Sequence, residues 1–232
     1  MHDQQRVILY QGCFLLISFC VLWVGFPIGG SIDLTLIDPW MNPSGQFLLR
    51  DNWYLTELSH RYVKDLMILV YVSFLLLWVG SFKLKALTPY RWRYGYFITL
   101  VILSTAMIGL LKSQSAHACP WNSTIATAQG FFWDFSTTQG HCFPGGHAAT
   151  GFALMAGYFI FRLSDPKRAY FFLISGLILG FALGWAQMMR GAHFLSHNLW
   201  TAWVIWLINV VFYVFNYHKF SPLSNQNLPN QS

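Results

Sequence analysis

The 232-residue chain is 55% hydrophobic, 19% aromatic and only 9% charged, with a mean hydropathy of +0.44. A soluble domain carries about 25% charged residues, so an ordinary water-soluble fold is excluded and a bilayer is the expected solvent. The net charge of +6 does not indicate a nucleic-acid partner, because Lys and Arg lie scattered between apolar runs rather than gathered on one solvated face.

Residues 7–28 form a nearly uninterrupted apolar stretch. It is long and lacks a small-residue cleavage site, so it is expected to remain as a first membrane helix rather than leave as a signal peptide. Residues 29–64 are mixed, with Pro39, Pro43, Gly45, Asp33, Asp38, Asp51 and Glu57; a loop with short helical or interfacial pieces is expected. Further spans are predicted at 65–80, 94–111, 148–161, 169–189 and 199–215. Six spans of ~20 residues take up about half the chain and leave no room for a separate soluble domain. The expectation is therefore one all-α membrane domain of about six helices over residues 1–232, ending in a flexible, Ser-, Asn-, Gln- and Pro-rich tail from about 219 to 232.

Arg6, Lys83, Lys85, Arg91, Arg93, Arg162, Lys167, Arg168 and Lys219 fall on one side of these spans, and they are the majority of the 14 Lys and Arg residues. The positive-inside rule assigns that side, with both termini, to the cytoplasm. The opposite face then receives six of the 8 histidines, namely His60, His117, His141, His147, His193 and His197. Lys112 and Arg190 close the third and fifth spans on that same face. Any single ionisable group at a span end can simply snorkel to the interface. The whole set, together with Pro144-Gly145-Gly146-His147 at a helix start, points instead to phosphate handling.

Lys112, followed seven residues later by Cys119-Pro120, then Pro144-Gly145-Gly146-His147, then Arg190-Gly-Ala-His193-Phe-Leu-Ser-His197 resembles the type 2 phosphatidic acid phosphatase superfamily, which also contains the vanadium haloperoxidases. That family's pattern is Lys-x6-Arg-Pro, Pro-Ser-Gly-His and Ser-Arg-x5-His-x3-Asp, and the resemblance spans residues 60–215. It implies that His193 takes the phosphoryl group, that His147 protonates the leaving group and that Lys112 binds phosphate oxygens. Imidazole titrates near pH ~6.5, so one His can act as neutral nucleophile and another as acid. Phosphoryl transfer asks mainly for positioning and charge neutralisation. Pro144 suits the first turn of the fourth span, and the amides of Gly145 and Gly146 can approach an anion there.

Four positions depart from the pattern. Cys119 stands in place of Arg, and Gly145 in place of Ser. Gln187 stands in place of another Arg, whose charge Arg190 could supply from one turn further along. His197 stands in place of the Asp that orients the nucleophile, and losing an orienting carboxylate costs on the order of 10^4 in rate in an analogous triad. His197 could itself accept the hydrogen bond, or a loop carboxylate, best Asp134, could fold over the site.

Cys119 and Cys142 share the outer loop, and a disulfide between them would contribute roughly 3–4 kcal/mol. Cys13 and Cys20 read as packing or lipid-facing residues. His117, His141 and Cys119 match no zinc spacing, and no metal or other cofactor is expected. Trp121, Phe131, Phe132 and Trp133 read as an interfacial aromatic belt or as shelter for a lipid chain. His60 and Lys64 could reach the phosphate, and Asn122-Ser123-Thr124 is a chance sequon match.

The expected function is a metal-independent lipid phosphatase at the periplasmic face of a bacterial inner membrane, with a phosphohistidine intermediate. Its expected partners are a lipid phosphate and the surrounding membrane lipids. A lipid-to-lipid phosphotransferase and a non-catalytic lipid-binding pseudoenzyme stand as alternatives. A transporter fits less well, because the polar residues sit at one interface with almost no charge at mid-span. The sequence sets neither the lipid nor the oligomeric state.

Overall fold

The computed structural model describes residues 2–138 and 140–220, so most of the tail expected to be flexible falls outside the described residues. Helix α1 (His2–Gly25) is followed by a short α2 (Ser31–Ile37). A π-wound stretch, Tyr54–Val63, runs directly into α3 (Lys64–Gly80), and a 3-10 turn leads into α4 (Arg91–Gln114). After the strands β1 (Thr124–Thr127) and β2 (Gly130–Trp133) come α5 (Gly146–Phe152) and α6 (Ala156–Phe161), joined by one 3-10 turn into a single rod. Helices α7 (Pro166–Met189), α8 (Leu195–Phe215) and α9 (Tyr217–Phe220) complete the described residues.

Among the described residues, five helices are long and apolar enough to cross a membrane: Gln4–Gly25, Tyr54–Gly80, Lys85–Gln114, Pro166–Met189 and Leu195–Phe215. The α5–α6 rod is the shorter apolar sixth. The second helix starts at Tyr54 rather than near residue 65, because its first ten residues, Tyr-Leu-Thr-Glu-Leu-Ser-His-Arg-Tyr-Val, carry too little apolar character to read as a span. The hairpin also went unanticipated: Thr124 pairs with Trp133 and Thr127 with Gly130, too short an alternation to register as strand.

Helix α7 lies against the rod at two glycines spaced one turn apart, Gly176 and Gly180, while Gly184 one turn further on faces Asn198 of α8. A β-carbon on Gly180 would sit 2.2 Å from the Phe152 ring, and one on Gly151 would sit 2.3 Å from the Gly180 backbone nitrogen. Small residues at such spacing let helices approach closely, which gains dispersion contacts where lipid supplies no hydrophobic drive. Helix α1 is held to α8 by side-chain bonds instead: Trp203 Nε1 donates to Leu15 O at 3.2 Å, and Trp206 Nε1 donates to Gln11 Oε1 at 3.0 Å. Leu9, Tyr10, Leu16 and Val24 on α1 stay exposed, as suits a helix that is apolar all round.

The bundle has two chemically distinct ends. At one, the guanidiniums of Arg93 and Arg168 lie 5.7 and 5.9 Å from the centre of the Phe161 ring, and Lys219 Nζ lies 5.9 Å from that of Trp92. The other end carries α2, the hairpin and His117, His141, His147, His193 and His197. There Ile37, Phe47, Met188 and Phe194 form a small core that ties α2 and the loops to the opening of α8.

Candidate active site

The end of α4, the opening of the α5–α6 rod, the end of α7 and the opening of α8 converge at the histidine-bearing end. Lys112, in the last turn of α4, places Nζ 3.8 Å from where a β-carbon on Gly146 would stand. Its amine therefore faces the start of the rod, and it has no ion-pair partner among the described residues. His147 is the second residue of α5 and is half-buried. The rod's backbone ladder opens with Ala149 N donating to Gly145 O at 3.3 Å, so the Gly146 amide lies ahead of that ladder and is spared by it.

His193 and His197 are buried, 2% and 0% exposed. His193 lies just before the extended N-cap Phe194 and His197 in the first turn of α8, and the entry of the chain into the helix brings the rings together with Nδ1 to Nδ1 at 3.3 Å. A bond between two ring nitrogens requires one to carry the hydrogen and the other to accept, so the pair holds complementary tautomers. Burial pushes His193 well below the ordinary imidazole value; the charges of His197, Lys112 and His147 push the same way, and the Cys142 backbone opposes them. His193 is thus neutral at pH 7 and keeps a lone pair. Those same influences place Lys112, His147 and His197 within electrostatic reach of His193, so three motifs far apart in the chain form one locus.

The pocket wall is aromatic. Phe143 packs on His197 with ring centres 5.5 Å apart, and His117 packs on Phe143 at 5.3 Å. His141 Nδ1 donates to Ser115 O at 2.6 Å, and Cys119 and Cys142 are disulfide-bonded with Cα atoms 5.1 Å apart. That bridge holds the loop after Lys112 against the turn before His147.

Several expected contributors stand elsewhere. The Gly145 amide does not face an anion: it donates to Thr201 Oγ1 at 2.8 Å, inside the protein. The space a Ser side chain at 145 would need is already filled, because a β-carbon there would meet Asn198 Oδ1 at 2.5 Å. Pro144 precedes the helix instead of entering its first turn, since Gly145 is the N-cap. Asp134 does not turn toward the histidines; its carboxyl accepts from Ser136 N at 2.9 Å, and these bonds hold its pKa below the ordinary carboxylate range. Arg190 is half-buried and pinned at the end of α7, donating to Arg50 O at 2.9 Å and to Gln187 Oε1 at 3.1 Å. Lys64 pairs with Asp65 at 3.8 Å, and the His60 side chain lies outside the described residues. The aromatic residues expected as a belt divide: Trp121 stacks under Arg50, Trp133 packs on Phe135 and Phe194, and Phe132 stays exposed.

The sequence reading missed a buried carboxylate. Asp33, on α2, is 2% exposed and accepts from Ser196 N at 2.9 Å, from Gly29 N at 3.0 Å and from the Ser196 hydroxyl. Burial raises its pKa against the opposing effect of those bonds. Nothing periodic links α2 to the residue between His193 and His197, so no sequence signal announced the pair. Asn198 was missed too: its carboxamide is buried and finds no hydrogen-bond partner among the described residues.

A family model for the PAP2 superfamily matches residues 93–221. This is more than half of the chain, and the protein belongs to that superfamily, the type 2 phosphatidic acid phosphatases. No curated protein matches the chain, and no solved structure does. Membership makes it a member of a phosphatase and phosphotransferase family, built here on helices of membrane-spanning length.

Proposed function

We propose that the protein hydrolyses a lipid phosphomonoester or pyrophosphate at the histidine-bearing end of the bundle, facing the periplasm of a bacterial inner membrane, without a metal ion. The observation that carries this reading is the convergence of Lys112, His147 and His193 on one site with His193 held neutral. In the first step the free Nε2 lone pair of His193 attacks phosphorus while the bond from phosphorus to the leaving oxygen breaks. His147 passes its proton to that oxygen, and Lys112 neutralises the phosphoryl oxygens. In the second step water attacks the phosphohistidine, gives up a proton to His147 and releases inorganic phosphate, which restores both histidines. His197, neutral and packed on Nδ1 of His193, accepts the hydrogen that keeps Nε2 free.

The test is phosphate release by purified protein from a panel of lipid phosphates in the presence of EDTA. Wild type is expected to turn over at least one of them, and His193→Ala to fall by at least roughly 10^3-fold, as removal of a covalent nucleophile does. Wild-type turnover in His193→Ala would reject the nucleophile assignment. EDTA-sensitive turnover would reject metal independence.

A further inference from the structure

We propose that Asp33 is the positioning carboxylate of this site, acting through Ser196 on the first turn of α8. The proposal rests on the phosphohistidine reading above and assigns what that reading leaves open: which group stands in for the carboxylate that the motif lacks at position 197. Among the described residues, Asp33 is the one fully buried acidic side chain. Asp134, the carboxylate expected from the loop, is occupied with Ser136.

The geometry is that of a helix cap supplied from a distant part of the chain. Phe194 is the N-cap of α8 and offers no side-chain bond, so the first amides of that helix need acceptors from elsewhere. Asp33 provides them: Oδ1 accepts from Ser196 N at 2.9 Å, and Oδ2 accepts from the Ser196 hydroxyl. Oδ2 also accepts from Gly29 N at 3.0 Å, which fixes the carboxylate to its own helix start. A negative group at a helix N-terminus is further favoured by the helix dipole.

Ser196 sits between the two rings, one residue before His197 and three after His193. Holding its amide and its hydroxyl at once therefore fixes the first turn of α8, which carries His197, and the N-cap junction through which His193 is joined to it. The support is itself rigid, because Ile37 of α2 packs with Phe194 and Met188 in the same small core. In the family pattern a carboxylate grips the nucleophile ring directly. In this chain His197 grips the ring, and Asp33 holds the backbone that places both. Asp33 touches neither substrate nor ring in this arrangement, and its effect is confined to geometry.

The experiment compares wild type, Asp33→Asn, Ser196→Ala and the double variant in detergent, with kcat and KM on a turned-over lipid phosphate and the folded fraction from thermal unfolding and size exclusion. Asp33→Asn keeps one acceptor oxygen but cannot hold the amide and the hydroxyl as acceptor-only oxygens do. It is expected to lower kcat per folded molecule by roughly 10- to 100-fold, the cost of a misplacement of about 1 Å, with KM within about twofold because Lys112 and His147 are untouched. Ser196→Ala is expected to lose less, and the double variant no more than Asp33→Asn alone, because both act through one contact. Wild-type kcat per folded molecule in Asp33→Asn overturns the proposal, as does additive loss in the double variant. Should Asp33→Asn not fold, a folded Ser196→Ala with unchanged kcat overturns it equally. A wild type that releases no phosphate and forms no phosphohistidine instead rejects the phosphatase reading, and the Asp33 proposal falls with it.

Discussion

The two imidazoles in contact change what the site can do with pH. A carboxylate beside a nucleophilic His stabilises its protonated form, whereas His197 offers only a neutral nitrogen, and the charges around His193 all disfavour a proton there. The acid limb of kcat/KM for the free enzyme should consequently lie below the ordinary imidazole value of about 6.5. His197→Asp should move that limb upward, since a neighbouring negative charge favours the imidazolium. A pH–rate profile of both forms checks this, and a wild-type limb at or above the ordinary value would contradict it. Stability follows the same sign. As pH falls below about 6.5 the unfolded chain takes up a proton that the folded site refuses, so the folded state loses stability down to the lowered native value. At this scale the sequence was partly legible. His147, His193 and Lys112 were marked by motif and spacing, whereas the role of Gly145 was not, because its glycine is explained by the Asn198 side chain packed against it.

Helix against helix, the tightest approach is between the α5–α6 rod and α7, and it sets where His147 stands relative to the end of α7 that holds Arg190. A methyl group at Gly151 would run into backbone, the Gly180 nitrogen at 2.3 Å, which cannot swing aside as a side chain can. Gly151→Ala should therefore destabilise by about 1–3 kcal/mol, the range for overpacking, and lower activity as the rod shifts. Gly109→Ala, inside α4 with nothing within 4 Å of its added carbon, should leave activity unchanged and hold or raise stability by up to about 1 kcal/mol, the helix-propensity gain of Ala over Gly. Thermal unfolding in detergent separates them, and equal melting temperatures for the two variants would argue against the close approach. The six apolar runs were visible because each is dominated by apolar residues with few charges, although the α5–α6 rod is shorter than the rest. The helical lead-in to α3, the hairpin and α2's grip on α8 were not, because polar sequence, four-residue strands and a contact across 163 residues leave no periodic trace.

For the whole molecule, the separation of a cationic end from a histidine-bearing end is the feature from which an orientation across a membrane is predicted. Basic side chains resist translocation, so an end where Arg93, Arg162, Arg168 and Lys219 pack on aromatic rings is expected on the cytoplasmic side with both termini. On that expectation the opposite end would face an oxidising space, where a bond such as that between Cys119 and Cys142 persists. Single cysteines test this in a chain whose exposed Cys13 and Cys20 are replaced by Ala. Ala128→Cys places a thiol on the hairpin turn, and Ser164→Cys places one between α6 and α7, both at exposed positions. A membrane-impermeant maleimide added to intact cells with a permeable outer barrier should label the first and spare the second until the membrane is lysed. The reverse pattern would turn the histidines toward the cytoplasm, where a structural disulfide has no support, and the substrate would have to be sought among lipid phosphates of the inner leaflet.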